Sequence, residues 1–345
     1  MDINILGIDT AKHVFHLCGL NKSGNVIFKK KVSRSKFVET VINTKANLIA
    51  LEACAGSHHW GRTFEGYNLN VKLIAPQFVK AYVKSNKTDM ADAEAIAEAA
   101  SRPTMRFVAI KRVEQQDLQT LHRVRERFIK QKVAISNEIR GFLSEYGIVI
   151  SKGSSKLTLF FSEQLHQHSE LSKMFKDLLF DLYAEFKAAD DIVKGYDSKL
   201  KQIARAHPVA SRLTTIPGVG SICATACLAA VSSADDFKNG RNFASWLGLT
   251  PREHSSGGKQ KLLGISKRGN SYLRKQLVHG ARSVAYHAKG KKDLNSSWVN
   301  NIGQRNGTNK AVVALANKNA RIIWSLIKTE NTYQPKMAHQ GVLAM

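Results

Sequence analysis

Carboxylates are scarce in this chain: 27 Asp and Glu stand against 52 Lys and Arg in 345 residues, a formal charge of +25 with a pI near 10.0. Such an excess is normally neutralised by a polyanion, and nucleic acid is the first expectation. Long apolar runs are lacking too. No segment is long enough to span a bilayer and no isolated basic amphipathic helix is present, which argues against a membrane partner. The four cysteines, Cys18, Cys54, Cys223 and Cys227, have neither disulfide-scaffold density nor CxxC spacing, so a reducing cytoplasm is the economical compartment. Cys223 and Cys227 read as core residues of one helix. Met1-Asp2-Ile3-Asn4 offers an acid where a secretory n-region needs bases, and the apolar stretch behind it is broken by Asp9, so it reads as a first strand. Glycine-rich phosphate loops paired with Asp are missing further on, which disfavours a kinase of the actin superfamily. No internal repeat is visible.

With 43% hydrophobic residues, the chain can bury core in two or three units. Residues 3 to about 76 alternate strand and helix signals. Strands are predicted at 3–8, 14–20, 26–32, 48–53 and 71–74, with helices at 35–43 and 58–67. Asn21-Lys22-Ser23-Gly24-Asn25 predicts a hairpin between strands two and three, which a purely parallel Rossmann sheet would not use. Residues 1–108 are therefore expected to form an α/β N-terminal domain with an RNase H-like sheet. A helical coiled-coil segment follows over 109–207. Leu171, Phe175, Leu178, Leu182 and Phe186 open a stripe at helical spacing that suits a dimer seam or packing inside one chain. Residues 208–330 form a mainly α C-terminal domain. There Ile216-Pro217-Gly218-Val219-Gly220 before a small-residue helix looks like a helix-hairpin-helix motif, with Gly218 and Gly220 offering backbone N–H groups to phosphate. Residues 331–345 read as a tail.

Asp9 ends one apolar strand and Glu52 another, and neither would welcome an unpaired charge. In an RNase H-like sheet the first and fourth strands are neighbours, so the two carboxylates can meet and share a divalent cation. In Asn86-Lys87-Thr88-Asp89-Met90-Ala91-Asp92-Ala93, Asp89 and Asp92 fall one turn apart on one helix face. Four acids around Mg²⁺, or Mn²⁺, would neutralise the charge of a phosphodiester under attack. The plain alternative is that Asp89 caps its helix and Asp92 answers the helix dipole. His58 and His59 are adjacent rather than a turn apart, which suits surface or capping roles better than ligation.

Toward the C-terminus, Arg252, Lys259, Lys261, Lys267, Arg268 and Arg274 form a one-sided basic block with Glu253 the only nearby acid, a pattern suited to phosphate contacts. Ser255 and Ser256 sit beside Gly257-Gly258 inside it and, taken alone, read as linker residues on a flexible loop. Trp246 and Trp324 read as core rather than base-stacking platforms.

Gly7-Ile8-Asp9-Thr10-Ala11-Lys12, Leu51-Glu52-Ala53 with Gly56, the Thr88 to Ala93 motif, Ile216 to Gly220, Trp246-Leu247-Gly248-Leu249-Thr250-Pro251-Arg252 and Ile265-Ser266-Lys267-Arg268-Gly269-Asn270 occur together in one order. Nearly end to end, the chain resembles the DEDD transposases of insertion-sequence family 110, which are related to Piv-type site-specific DNA invertases. The resemblance implies a RuvC-like domain whose Mg²⁺ ligands correspond to Asp9, Glu52, Asp89 and Asp92. It also implies a nucleophilic serine at Ser256, with Ser255 the neighbouring choice, that forms a covalent phosphoserine with DNA. A bridge RNA pairing with double-stranded donor and target DNA is implied as guide. So is a homo-oligomer, a dimer or tetramer joined by the coiled coil, in which the acids of one chain meet the serine of another. The protein would act at the bacterial nucleoid. Two other readings of the residues are a RuvC-like structure-specific nuclease with water as nucleophile, and a non-catalytic RNA- or DNA-binding regulator.

Overall fold

The computed structural model describes residues 2–83, 88–291 and 293–335. Asn86 and Lys87 of the acidic motif, and the tail beyond Pro335, lie outside the described residues. Two compact units emerge, Met1–Val113 and the chain from Glu114 onward.

The first unit is built on a six-stranded mixed sheet of order β3-β2-β1-β4-β5-β6. Its strands are β1 (Ile5–Thr10), β2 (Val14–Leu20), β3 (Val26–Ser33), β4 (Leu48–Glu52), β5 (Val71–Ile74) and β6 (Phe107–Val108). Helices α1 (Phe37–Thr44), α2 (Ser57–Gly66), the short α3 (Pro76–Val79) and α4 (Asp89–Ala100) complete it. β1 runs antiparallel to β2 and parallel to β4, so the first and fourth strands are neighbours as the alternation of elements requires. The β2–β3 turn is closed by Asn21, whose side-chain oxygen accepts from the Asn25 N–H at 2.9 Å.

Alternation along β1 assigns its two faces. Leu6 and Ile8 join Phe15, Leu17, Phe37, Trp60 and Phe64 in one core, where Phe15 and Phe37 stack at 3.8 Å between centroids. Ile5, with Cys18, Leu20 and Ala50, joins the alanine-rich face of α4 in the other. Small residues on α4 let it lie close to the sheet. A Cβ on Gly7 would come within 2.3 Å of the Ala93 carbonyl oxygen and 2.5 Å of the Ala97 nitrogen, so the glycine is what lets helix backbone touch strand backbone.

The second unit opens with two long helices, α5 (Val113–Ser144) and α7 (Lys173–Ala206), with the short α6 (Ser154–Leu159) between them. The apolar stripe is satisfied largely within this chain. Ile135, Ile139 and Leu143 of α5 pack with Leu179 and Phe186 of α7 and with Leu157, Phe160 and Phe161. Arg125 Nε donates to Asp197 at 2.5 Å and Lys132 Nζ to Asp190 at 2.7 Å, fixing the register between the two helices. Val133, Phe142, Leu178 and Ile192 stay exposed.

The rest of the unit is helical: α8 (Pro208–Leu213), α9 (Ser221–Ala230), α10 (Gly240–Trp246), α11 (Ser271–His287), α12 (Leu294–Asn306) and α13 (Thr308–Thr329). They surround a core in which Cys223 and Cys227 are indeed buried on one helix, with Phe243, Leu277 and Leu315. Trp246 and Trp324 pack against this core, and the Trp324 indole donates to the Ala234 carbonyl at 3.0 Å. One feature differs from the expected flexible loop. Residues 251–265 form a two-stranded hairpin, β7 (Pro251–Glu253) and β8 (Leu262–Ile265). Its tip is a tight turn in which the Lys259 N–H donates to the Ser256 carbonyl at 3.1 Å. Gly257 and Gly258 both have positive φ, 56° and 76°, as a type I′ hairpin turn requires.

Candidate active site

The acidic residues of the first unit are gathered by two local contacts. Ile8 of β1 pairs with Leu51 of the parallel β4, and the next residue on each strand is an acid, Asp9 and Glu52. Asp9 lies on the Gly7 face of β1, where α4 is in backbone contact, and the N-terminal turn of that helix carries Asp89 and Asp92. Thr88 is the N-cap: its hydroxyl oxygen accepts from the Ala91 N–H at 3.2 Å. Capping therefore does not consume the Asp89 carboxylate, although both acids still favour the positive end of the helix dipole.

Electrostatics place three of the acids in mutual range. Burial pushes the Asp9 carboxyl above its ordinary range, and the charges of Asp92 and then Asp89 push it further up, while His16 and the Thr10 backbone N–H act in the opposite sense. Glu52 and Asp9 also share a neighbour. The half-buried Cys54 thiol is pushed up by burial and by both carboxylates, while a 3.2 Å contact with the Thr10 hydroxyl opposes this. Such a concentration of carboxylate oxygens suits a hard divalent cation that would relieve the repulsion, so the donor chemistry fits Mg²⁺ or Mn²⁺. The side chains are not drawn in round one point: among the described residues no three acidic, His or Cys side chains are arranged to hold an ion.

One neighbour was missed in the sequence. His16 on β2 is the cross-strand partner of Asp9, and its Nδ1 lies 3.6 Å from an Asp89 carboxylate oxygen. The pairing of β1 with β2 was foreseeable, and with the register in hand the residue opposite Asp9 could have been found. His58, by contrast, is occupied structurally, its Nδ1 accepting the Lys111 N–H at 3.1 Å.

In the second unit the serines sit on the β7–β8 hairpin. Ser255 donates its hydroxyl to Glu253 at 2.6 Å, and this bond and one from Gln260 hold the Glu253 carboxyl below its ordinary range. Ser256 is exposed at the tip, and its hydroxyl has no hydrogen-bond partner among the described residues. Arg252, Lys259, Lys261, Lys267 and Arg268 are exposed on or beside the hairpin. Arg274 is half-buried and directs one guanidinium nitrogen to the carbonyls of Leu247 and Arg268, both at 2.8 Å, a bracing role at the root of the hairpin. Gly220 stays exposed at the start of α9, whereas Gly218 packs backbone to backbone against Gly280 of α11. An open groove of about 1810 Å³ beside the hairpin adds cations that the sequence did not single out, Arg241, Lys310, Lys318 and Arg321. They come from α10 and α13, far apart in the chain, and only the tertiary fold collects them.

Comparison with known proteins supplies what geometry alone does not. Residues 6–148 match a family model described as a transposase, of the IS110 DEDD type. Residues 210–295 match the model described as Transposase IS116/IS110/IS902 family. The transposase for insertion sequence element IS1111A of Coxiella burnetii is 47% identical over 338 residues, covering 96% of this chain and 92% of that protein. The chain belongs to the IS110/IS116/IS902 transposase family. A second member, the transposase for insertion sequence element IS1328 of Yersinia enterocolitica, is 35% identical over 331 residues, 96% of this chain and 98% of its own. The pilin gene-inverting protein of Moraxella bovis is 24% identical over 363 residues, 98% of this chain and 99% of that protein. Members of this transposase family cleave and rejoin DNA, and the present chain is such an enzyme. Among the described residues no helix is long and apolar enough to cross a membrane.

Proposed function

We propose that this transposase moves an insertion sequence by cleaving and exchanging strands between donor and target DNA, with a RuvC-like acidic centre of Asp9, Glu52, Asp89 and Asp92 and a serine nucleophile at Ser256. The observation that carries the acidic half is the backbone contact at Gly7, which sets the acid-bearing end of α4 beside Asp9. The sheet, with β1 between an antiparallel hairpin and the parallel β4, suits an RNase H-like fold. Bound Mg²⁺ would neutralise charge on the attacked phosphate and the leaving oxygen. Asp9, Glu52, Asp89 and Asp92 would hold it.

Ser256 acts as the nucleophile because its hydroxyl is uncommitted and exposed, whereas that of Ser255 is engaged by Glu253. Its Oγ attacks phosphorus, one P–O ester bond of the DNA breaks as the Oγ–P bond forms, and the hydroxyl proton leaves for solvent while the departing oxygen takes one up. One ester is exchanged for another, so the strand is rejoined by the reverse attack without an external energy source. The basic hairpin and groove hold nucleic-acid backbone, including that of a guide bridge RNA. The exposed Val133, Phe142, Leu178 and Ile192 on α5 and α7 support assembly into a dimer or tetramer. The setting would be the bacterial cytoplasm, at the nucleoid.

Strand exchange on paired donor and target DNA, with the guide RNA supplied, tests this reading. Asp92→Asn and Ser256→Ala are each expected to lower product by about 1000-fold or more while retaining RNA binding. A covalent protein–DNA adduct is expected with the native chain and none with Ser256→Ala. Unimpaired cleavage by Ser256→Ala would mean that water attacks instead, as in a structure-specific nuclease.

A further inference from the structure

His16 is an anomaly in an otherwise well-paired sheet. Its side chain is only 12% exposed, and Nδ1 is buried with no hydrogen-bond partner among the described residues. Leaving a buried polar atom unpaired costs about 1–3 kcal/mol, so such an atom in a native protein calls for an explanation. Along the sheet His16 stands between Asp9 on β1 and Lys31 on β3. From α4, Asp89 faces it at 3.6 Å. Asp89 itself is 67% exposed and occupies the first helical position after the Thr88 cap, so little holds its carboxylate in one rotamer.

We propose that His16 is the positioning residue of the acidic centre: Nδ1–H donates to the Asp89 carboxylate and turns its other oxygen toward the cation. The inference rests on the acidic centre proposed above. A closing movement of about half an ångström brings the pair within the 2.7–3.2 Å range of an N–H···O bond. The movement is open to Asp89 because it lies on the exposed side. Partners behind a metal ligand fix its orientation, and their loss commonly weakens metal binding by about 10–100-fold. The buried, unpaired Nδ1 thus acquires its partner when the centre assembles.

Mn²⁺ titration of the full-length protein by calorimetry, without nucleic acid, tests the assignment. Asp9→Ala is the reference for loss of the centre. His16→Ala is expected to weaken Mn²⁺ binding by about tenfold or more. His16→Asn, whose amide nitrogen reaches about the position of Nδ1, is expected to return binding to within about threefold of native, and His16→Gln, whose amide lies nearer the position of Nε2, is not. Melting in EDTA is expected to be nearly the same for native and His16→Asn. If His16→Ala fails to fold, the Asn and Gln variants decide between themselves. Native affinity in His16→Ala with loss in Asp9→Ala overturns the role of His16 alone, as does rescue by neither variant or by Gln as well as Asn. Equal Mn²⁺ binding by native protein and Asp9→Ala overturns the acidic centre itself, and this inference with it.

Discussion

The two halves of the chemistry proposed for this transposase are built on opposite principles. The acids hang from a six-stranded sheet and a helix in backbone contact with it, so their elements are fixed by that close approach and by the buried cluster around it. The serine stands at the tip of a two-stranded hairpin whose residues from Pro251 to Gly264 are all exposed. A site that must gather like charges needs a rigid frame to oppose their repulsion. A nucleophile that must reach a long polymer needs access instead, and turn chemistry rather than burial sets its place.

The largest effect is expected from filling the contact at Gly7. Gly7→Val puts side-chain atoms where α4 backbone now lies. It is expected to destabilise the first unit by about 3 kcal/mol and to abolish strand cleavage, with chemical denaturation and cleavage assays as the measurements. If the variant keeps native stability and activity, the helix does not need its close approach and the frame argument fails.

A smaller and more selective effect is expected at the other half. Gly257→Val forces a β-branched residue into positive φ, costing about 1–2 kcal/mol at the turn, whereas Gly257→Asn suits a type I′ turn. Strand exchange is expected to fall about tenfold in the Val variant and to stay near native in the Asn variant, with both melting like native protein. A matching loss of melting temperature in the Val variant would show that the hairpin is part of the core after all.

The effect least specific to either site is a pH dependence of stability that both units share. Burial holds the His122 imidazole at a pKa of about 4, aided by Arg125, and burial with Lys111 and Arg62 does the same to His58. Each ring is neutral when folded and takes up a proton on unfolding below its ordinary pKa of about 6.5. Stability is therefore complete above that value and is lost as pH falls toward 4. At His122, which is 3% exposed, the slope approaches about 1.4 kcal/mol per pH unit at most. Denaturant midpoints at pH 7.5 and 5.0 should differ in this sense, and His122→Phe should remove part of the difference.

Legibility in the sequence followed the range of the interactions. Asp9 and Glu52 could be paired because strand alternation and the Asn21 turn constrain which strands are neighbours. Asp89 could be mistaken for a cap, since cap preference alone does not choose between Thr88 and its neighbour. His16 was invisible without the β1–β2 register. Ser255-Ser256-Gly257-Gly258 read as a linker because glycine signals flexibility and tight turns alike, and only the ladder from His254 to Lys261 separates the two. The groove cations Arg241 and Arg321, 80 positions apart in numbering, had no local signal at all.

The root of the serine hairpin has a consequence for how such enzymes diverge. A Cβ at Gly248 would lie 2.3 Å from the Arg268 carbonyl oxygen and one at Gly269 would lie 1.8 Å from that of Trp246, so the chain entering the hairpin and the chain leaving it are clasped backbone to backbone. Arg274 locks the clasp from α11. What lies beyond is a cantilever, anchored at one end and free at the other. Along a regular ladder its arm lengthens in steps of two residues per strand, about 7 Å, if Ser256 is to keep its face, and the register shift between Pro251 and Glu253 shows where one extra residue on one strand can be taken up instead. Reach in this scaffold is thus set at the hairpin alone, coarsely by the length of its ladder and finely by its bulges, while the clasp at its root stays unchanged.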